Sequence, residues 1–250
     1  MRLNKTLSVL TCSAMLLVSC KTSHIPIKSN PITYTINNTI AEDTSLVNYY
    51  TPFKLKMESE MNRVIGTSAQ YLTKVRSQPE FLVGNFFADA LLEIGRKIDP
   101  EVSIAVATKD GIRTEVKEGA VTVGSMFELM PFENMITVLE LTGNDIFELC
   151  QFIAKTGGQP IAGFTMKIKD DEPVDILIGG IPLDRNQKYK LVTYDYLANG
   201  GDHIKGILNP LQRTNTTSRV REQLIEYVEG LTKRGQKVNT QLDGRITLIK

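Results

Sequence analysis

The sequence predicts an α+β (mixed α/β) fold in a single domain, and three observations carry that prediction. Helical and strand-like patterns interleave from about residue 80 to 155, and strand patterns then follow one another to about residue 197. No Pro/Gly/Ser-rich linker interrupts residues 80–250. A chain of 250 residues with 42% apolar content buries one sizeable core or two small ones.

The first residues stand apart from that domain. "MRLNKTLSVLTCSAMLLVSC" opens with Arg2 and Lys5, continues with an apolar run from Leu7, and ends in small residues before Cys20. This is the pattern of a secretory signal over residues 1–19, and the run is too short to span a bilayer. Leu17-Val18-Ser19-Cys20 resembles the lipobox of bacterial lipoproteins, which implies diacylation of Cys20. The expectation is an exported lipoprotein anchored through lipid to a membrane, at the outer membrane facing periplasm or surface. Residues 20–41 then read as a polar tether, "KTSHIPIKSNP", leading into "PITYTINNTI", whose alternation suits a lone strand. Over residues 42–66, Leu46, Tyr50, Phe53, Met57 and Val64 fall at helical spacing, so an amphipathic helix is expected to end at Gly66, kinked or restarted at Pro52.

The rest of the domain, residues 67–250, follows in order. "NFFADALLEIGRKI" reads as a helix closed by Asp99-Pro100, and "VSIAVAT" as a strand buried on both faces. "SMFELM" is a short helix, "MITVLELTG" a strand ended by Gly143, and "NDIFELCQFIAK" an amphipathic helix stopped by Gly157-Gly158. "GFTMKIKD", "VDILIGG" and "KYKLVTYDYL" are strands in succession, and "SRVREQLIEYVEGL" is a late helix.

Composition narrows the chemistry. With 29 basic against 28 acidic residues there is no electrostatic footprint for a nucleic acid polymer or an anionic membrane face. The chain has two histidines, His24 in the tether and His203. A catalytic zinc site takes about three protein ligands, and two-metal phosphatase centres take more, with histidine prominent. A His-rich two-metal centre therefore cannot be built from the folded part. No G-x-S-x-G, Walker A or G-x-G-x-x-G occurs, whereas catalysis by carboxylates alone stays open with 28 acids on the chain. With Cys12 in the signal and Cys20 lipidated, Cys150 is alone; on the apolar face of its helix it reads as a small core residue.

Six segments in order carry a family resemblance: "GNFFADALLE", "DGIR", "MPFEN", "LTGNDIFEL", "YDYLANGGD" and the closing "DGRITL". From about residue 80 to 248 the chain resembles the C-terminal, substrate-recognition domain of the 5′-nucleotidase and UDP-sugar hydrolase family, and the preceding "EMNRVIG" helix is similar to the segment joining the two domains there. In that family an N-terminal metallophosphoesterase domain holds two metals and the C-terminal domain binds the nucleoside. The resemblance implies that Phe132 and Tyr196 sandwich a base, that Asn134 reads a base edge and that Asp202 accepts the ribose hydroxyls. It also implies that Arg113 holds ribose or phosphate and that Gly163 lines the base pocket. Two departures bear on specificity. The usual N-G-G-G-I-R is Thr108-Lys109-Asp110-Gly111-Ile112-Arg113, and the added side chains are expected to narrow or re-aim that loop. Leu82 stands where relatives often carry an arginine, for which Arg76 is the nearest substitute. Each of these residues also has a plain structural reading as core aromatic, turn former or surface ion-pair member. The aromatic pair decides, because both rings must face one cavity.

The expected function is the nucleotide- or nucleoside-binding half of an exported 5′-nucleotidase system. No cofactor is expected in this chain, and divalent metals belong to a separate metallophosphoesterase chain. The alternatives are a stand-alone, non-catalytic nucleoside-binding lipoprotein and a scaffold with a degenerate pocket.

Overall fold

The computed structural model describes residues 31–249, so the signal segment, Cys20 and the start of the tether lie outside the described residues. The chain divides into a unit covering residues 1–48 and a compact unit covering residues 49–250. In the first, the alternating stretch forms no strand. It carries a turn in which Asn37 Oδ1 accepts from Thr39 N at 3.0 Å, since a lone strand has no neighbour to complete its ladder. Asp43 then takes the Ser45 and Leu46 amides on one carboxylate oxygen and starts helix α1, Thr44–Met61.

Helix α1 keeps Pro52 inside it and ends at Met61, not at Gly66, and none of its residues is buried. The apolar stripe read over this segment therefore covers no core. The β-branched residues Val64, Ile65 and Thr67 form strand β1 (Val64–Ser68) instead, paired antiparallel with β3 (Gly119–Thr122).

The α+β expectation holds for the compact unit. Its main sheet has the order β10 (Gln212–Arg219), β4 (Met135–Thr142), β9 (Lys188–Tyr194), β2 (Val102–Val106) and β5 (Ile161–Ala162). A second sheet runs β11 (Ile246–Leu248), β6 (Phe164–Lys169), β7 (Glu172–Ile178) and β8 (Ile181–Pro182). Helix α2 (Leu82–Ile98) lies against β2, β5 and β9, burying Phe86, Phe87, Leu91 and Ile94. Helices α3 (Val123–Leu129) and α4 (Gly143–Lys155) both begin in capping boxes. In α4, Asp145 N donates to Thr142 Oγ1 at 3.2 Å and Thr142 N returns to Asp145 Oδ2 at 2.8 Å. Cys150 on α4 is fully buried, and burial pushes its thiol up to about 12, so it is an inert core residue. Helix α6 (Val220–Lys233) packs on α2 and α3.

Strand direction places the site. β2 and β9 are adjacent and parallel, so the loops leaving their C-terminal ends emerge on one side. β4 runs antiparallel to β9 with Ile136 opposite Tyr194, so the loop entering β4 arrives at the same edge. Three loops converge there: residues 107–113 after β2, residues 130–134 before β4, and the segment after β9. That last segment was expected to continue as strand, but it turns into the short helix α5 (Asp195–Ala198) and a 3-10 turn, Gly201–His203.

Candidate functional site

The three loops enclose a cavity of about 210 Å³. The first loop contributes Asp110, Gly111 and Arg113, the second Phe132 and Asn134, and the third Tyr194, Tyr196 and Asp202. Five residues singled out in the sequence, Arg113, Phe132, Asn134, Tyr196 and Asp202, thus meet at one place. Phe132 and Tyr196 are 37% and 47% exposed, and both line the cavity from separate loops.

The Phe132 wall is held from helix α6. Arg221, almost wholly buried, stacks its guanidinium 4.0 Å from the Phe127 ring centroid and donates to the Phe132 carbonyl at 3.3 Å and to Glu133 Oε1 at 2.5 Å. That bond from Arg221 holds the Glu133 carboxyl below its usual range, helped by the charges of Arg221 and Arg219. Val220 N donates to the Asn134 carbonyl at 2.9 Å, and Arg113 N to the Leu129 carbonyl at 2.9 Å. The loop is pinned at both ends.

The Tyr196 wall is built locally. Asp195 Oδ1 accepts from Tyr196 N at 2.8 Å and from Met135 N at 3.0 Å, which ends strand β9 as a helical turn and ties it to the start of β4. A Cβ on Gly201 would come within 2.3 Å of the Tyr196 ring, so only glycine lets the ring lie there. The Tyr196 hydroxyl donates to Asp202 Oδ1 at 3.0 Å and accepts from Asp202 N at 3.3 Å. Asp202 has φ +52°, in the left-handed region where non-glycine residues are uncommon and aspartate is enriched.

The altered first loop explains itself in part. Lys109 turns away from the cavity: its amide donates to Gln159 Oε1 at 2.8 Å, and its ammonium donates to the carbonyls of Gly157 at 2.9 Å and Arg76 at 3.2 Å. Burial, then the charge of Arg76, holds that ammonium below its usual range. Asp110 does line the cavity and pairs with Arg76. Arg113 lies 5.9 Å over the Phe132 ring centroid, and among the described residues no carboxylate pairs with it. Thr108 donates its hydroxyl to Asp202 Oδ2 and sits 3.4 Å from the Tyr194 hydroxyl, whose phenol burial keeps protonated well above its usual range.

Two expected residues fall elsewhere. Arg76 reaches the site only through Asp110. Gly163 joins β5 to β6 with φ +82°, and a Cβ there would lie 2.0 Å from the Ser103 carbonyl oxygen. It is a close-packing position and is absent from the cavity lining. His203 is exposed at the turn. Sequence reading assigned no role to Tyr194, the first residue of "YDYLANGGD", or to Thr108, which opens the altered "TKDGIR" loop. Among the described residues no group of three or more His, Cys, Asp or Glu side chains is arranged to hold a metal, and no helix is long and apolar enough to cross a membrane.

Comparison with known proteins identifies the family and the fold. The family described as 5′-nucleotidase, C-terminal domain, matches residues 64–208. The 5′-nucleotidase of Vibrio parahaemolyticus is 24% identical over 205 residues, covering 78% of this chain and 35% of its own length. Protein UshA of Escherichia coli K12 is 25% identical over 208 residues, covering 81% and 37%. Among solved structures, the 5′-nucleotidase precursor from Thermus thermophilus superposes with a TM-score of 0.71 at 24% identity, covering 82% of this chain and 42% of that one. The chain thus spans less than half the length of these relatives. The matched segment takes in more than half of the chain and all eight cavity residues, and the chain belongs to the 5′-nucleotidase C-terminal domain family.

Proposed function

We propose that this chain is the nucleoside- or nucleotide-binding half of an exported 5′-nucleotidase system. The observation that carries the reading is the pair Phe132 and Tyr196, brought from separate loops to line one cavity, both partly exposed. A heterocyclic base between two such faces gains about 1–3 kcal/mol per stacking contact and needs no particular base identity. In this reading Asn134 offers a donor and an acceptor to the base edge, Asp202 accepts sugar hydroxyls, and the unpaired Arg113 guanidinium takes a phosphate.

Hydrolysis of the phosphate ester belongs, in the same reading, to a metallophosphoesterase chain that carries the divalent metals. The signal pattern and the lipobox before Cys20 support export and lipid anchoring, and one relative, 26% identical over 220 residues, is the cell wall protein Lmo0130 of Listeria monocytogenes. The alternative of a stand-alone binding lipoprotein draws support from a cavity complete within residues 110–202.

Calorimetric titration with adenosine, AMP and UDP-glucose tests the site. Binding is expected, and Phe132→Ala and Tyr196→Ala should each weaken it by at least about 1 kcal/mol. No heat with any of the three leaves only the degenerate scaffold. Mixing with a purified exported metallophosphoesterase, divalent metal and a 5′-nucleotide should raise phosphate release; binding with no such gain selects the stand-alone alternative.

A further inference from the structure

We infer that Thr108 and Tyr196 are positioning residues that aim the Asp202 carboxylate, and that this aim makes the site select ligands with an intact vicinal diol over those with a single hydroxyl. The inference rests on reading the cavity as a nucleoside site, and it names what that site discriminates.

Asp202 occupies a backbone conformation that side chains disfavour, and His203 beside it shares that conformation at φ +55°. Such a turn persists only where its surroundings fix it. The Tyr196 hydroxyl does so from within the loop, bridging the amide and Oδ1 of Asp202 at 3.3 and 3.0 Å. Thr108 does so from 94 positions away in sequence, donating to Oδ2. Behind it the fully buried Tyr194 hydroxyl, 3.4 Å from Thr108 Oγ1, restricts the directions in which that hydroxyl can point.

Each carboxylate oxygen therefore already holds one protein donor. An ionised carboxylate offers about four acceptor sites, so roughly one remains free on each oxygen, an adjacent pair on a residue that lines the cavity. Two adjacent hydroxyls fit that pair. A ligand with one hydroxyl leaves a charged acceptor unmet, and hydrogen bonds to charged groups are strong enough that the expected loss is about tenfold or more in affinity. A carboxylate free to rotate could swing to serve the single hydroxyl and would discriminate less.

The test is the ratio of dissociation constants for 2′-deoxyadenosine and adenosine, measured by calorimetry on the full chain. Wild type should give a ratio of about ten or more. Thr108→Val and Tyr196→Phe should each bring it to about three or less, Thr108→Ser should restore it, and Asp202→Asn should abolish it. Loss of packing alone would weaken both ligands together and leave the ratio unchanged. If Thr108→Val fails to fold, Tyr196→Phe decides, because its ring is half exposed and keeps its shape. A wild type that discriminates while both hydroxyl deletions keep its ratio overturns this inference and leaves the nucleoside site standing. A wild type that binds both ligands equally also overturns it. Failure to bind either ligand removes the site itself.

Discussion

Phe132 rests on Arg221 of helix α6, 89 residues away, whereas Tyr196 is held by Asp195, Gly201 and Asp202, all within six positions of it. The same cavity thus has one wall that exists only after the whole unit has folded and one wall that a single short segment largely builds for itself. The difference teaches where damage travels. A fault in the support of Phe132 is a fault in packing between α6, α3 and the main sheet. A fault beside Tyr196 stays in the turn.

Arg221→Leu breaks the long-range wall and carries the largest expected effect. It removes the guanidinium over Phe127 and the donor to the Phe132 carbonyl, a loss of about 2–3 kcal/mol in stability. The melting temperature should fall by roughly 4–10 °C, and adenosine affinity should fall at least about tenfold as the loop of residues 130–134 loses its anchor. Thermal melts and calorimetry on one preparation check both. If the protein melts lower yet binds as before, the two walls are not coupled to the fold in the way described.

That contrast also explains how much was legible beforehand. "YDYLANGGD" announced a ring, a glycine turn and a carboxylate in one local stretch, and the structure brings the ring and the carboxylate to the cavity on that turn. Even there the local reading ran the strand too far, because the Asp195 side chain captures the Tyr196 amide and turns the chain into a helix. Phe132 was found through its family resemblance, but nothing near "MPFEN" pointed to Arg221. Strand β10, "QRTNTTSR", has no apolar alternation and forms as a polar edge on β4. Strands β1 and β3 were missed for a related reason: each is short and takes its pairing from the other, far along the chain, with Thr67 opposite Ala120. Gly163 was recognised as a glycine that matters, yet its cause is the Ser103 backbone pressed against it and not the cavity. Contacts set by tertiary closeness leave no trace in local pattern.

The local wall is broken by Gly201→Ala. The added methyl would meet the Tyr196 ring at 2.3–2.5 Å, and the ring, being half exposed, has room to move outward. Stability should change by less than about 1 kcal/mol, because the displaced group is near solvent. Adenosine affinity should nonetheless fall about fivefold to tenfold as one stacking face is lost. A large drop in melting temperature with intact binding would mean that Tyr196 belongs to the core and not to the site.

The smallest expected effect lies at the rim, where neither wall is touched. Asp110 lines the cavity beside Arg113 and pairs with Arg76, with both side chains of the pair more than half exposed. Exposed pairs of this kind contribute little to stability, so Asp110→Ser should leave the melting temperature within about a degree or two. Its effect should be on charge selection. Removing a carboxylate from the rim and freeing Arg76 makes the site more favourable for a 5′-phosphate, while an uncharged nucleoside has little to gain. The AMP-to-adenosine affinity ratio should therefore rise about twofold to fivefold at low salt and shrink toward the wild-type value at high salt, since charges near the surface are screened beyond a Debye length of about 8–10 Å. A ratio that falls, or one indifferent to salt, would show that Asp110 acts on the base or sugar and not on the anion, and would move the charge recognition entirely onto Arg113.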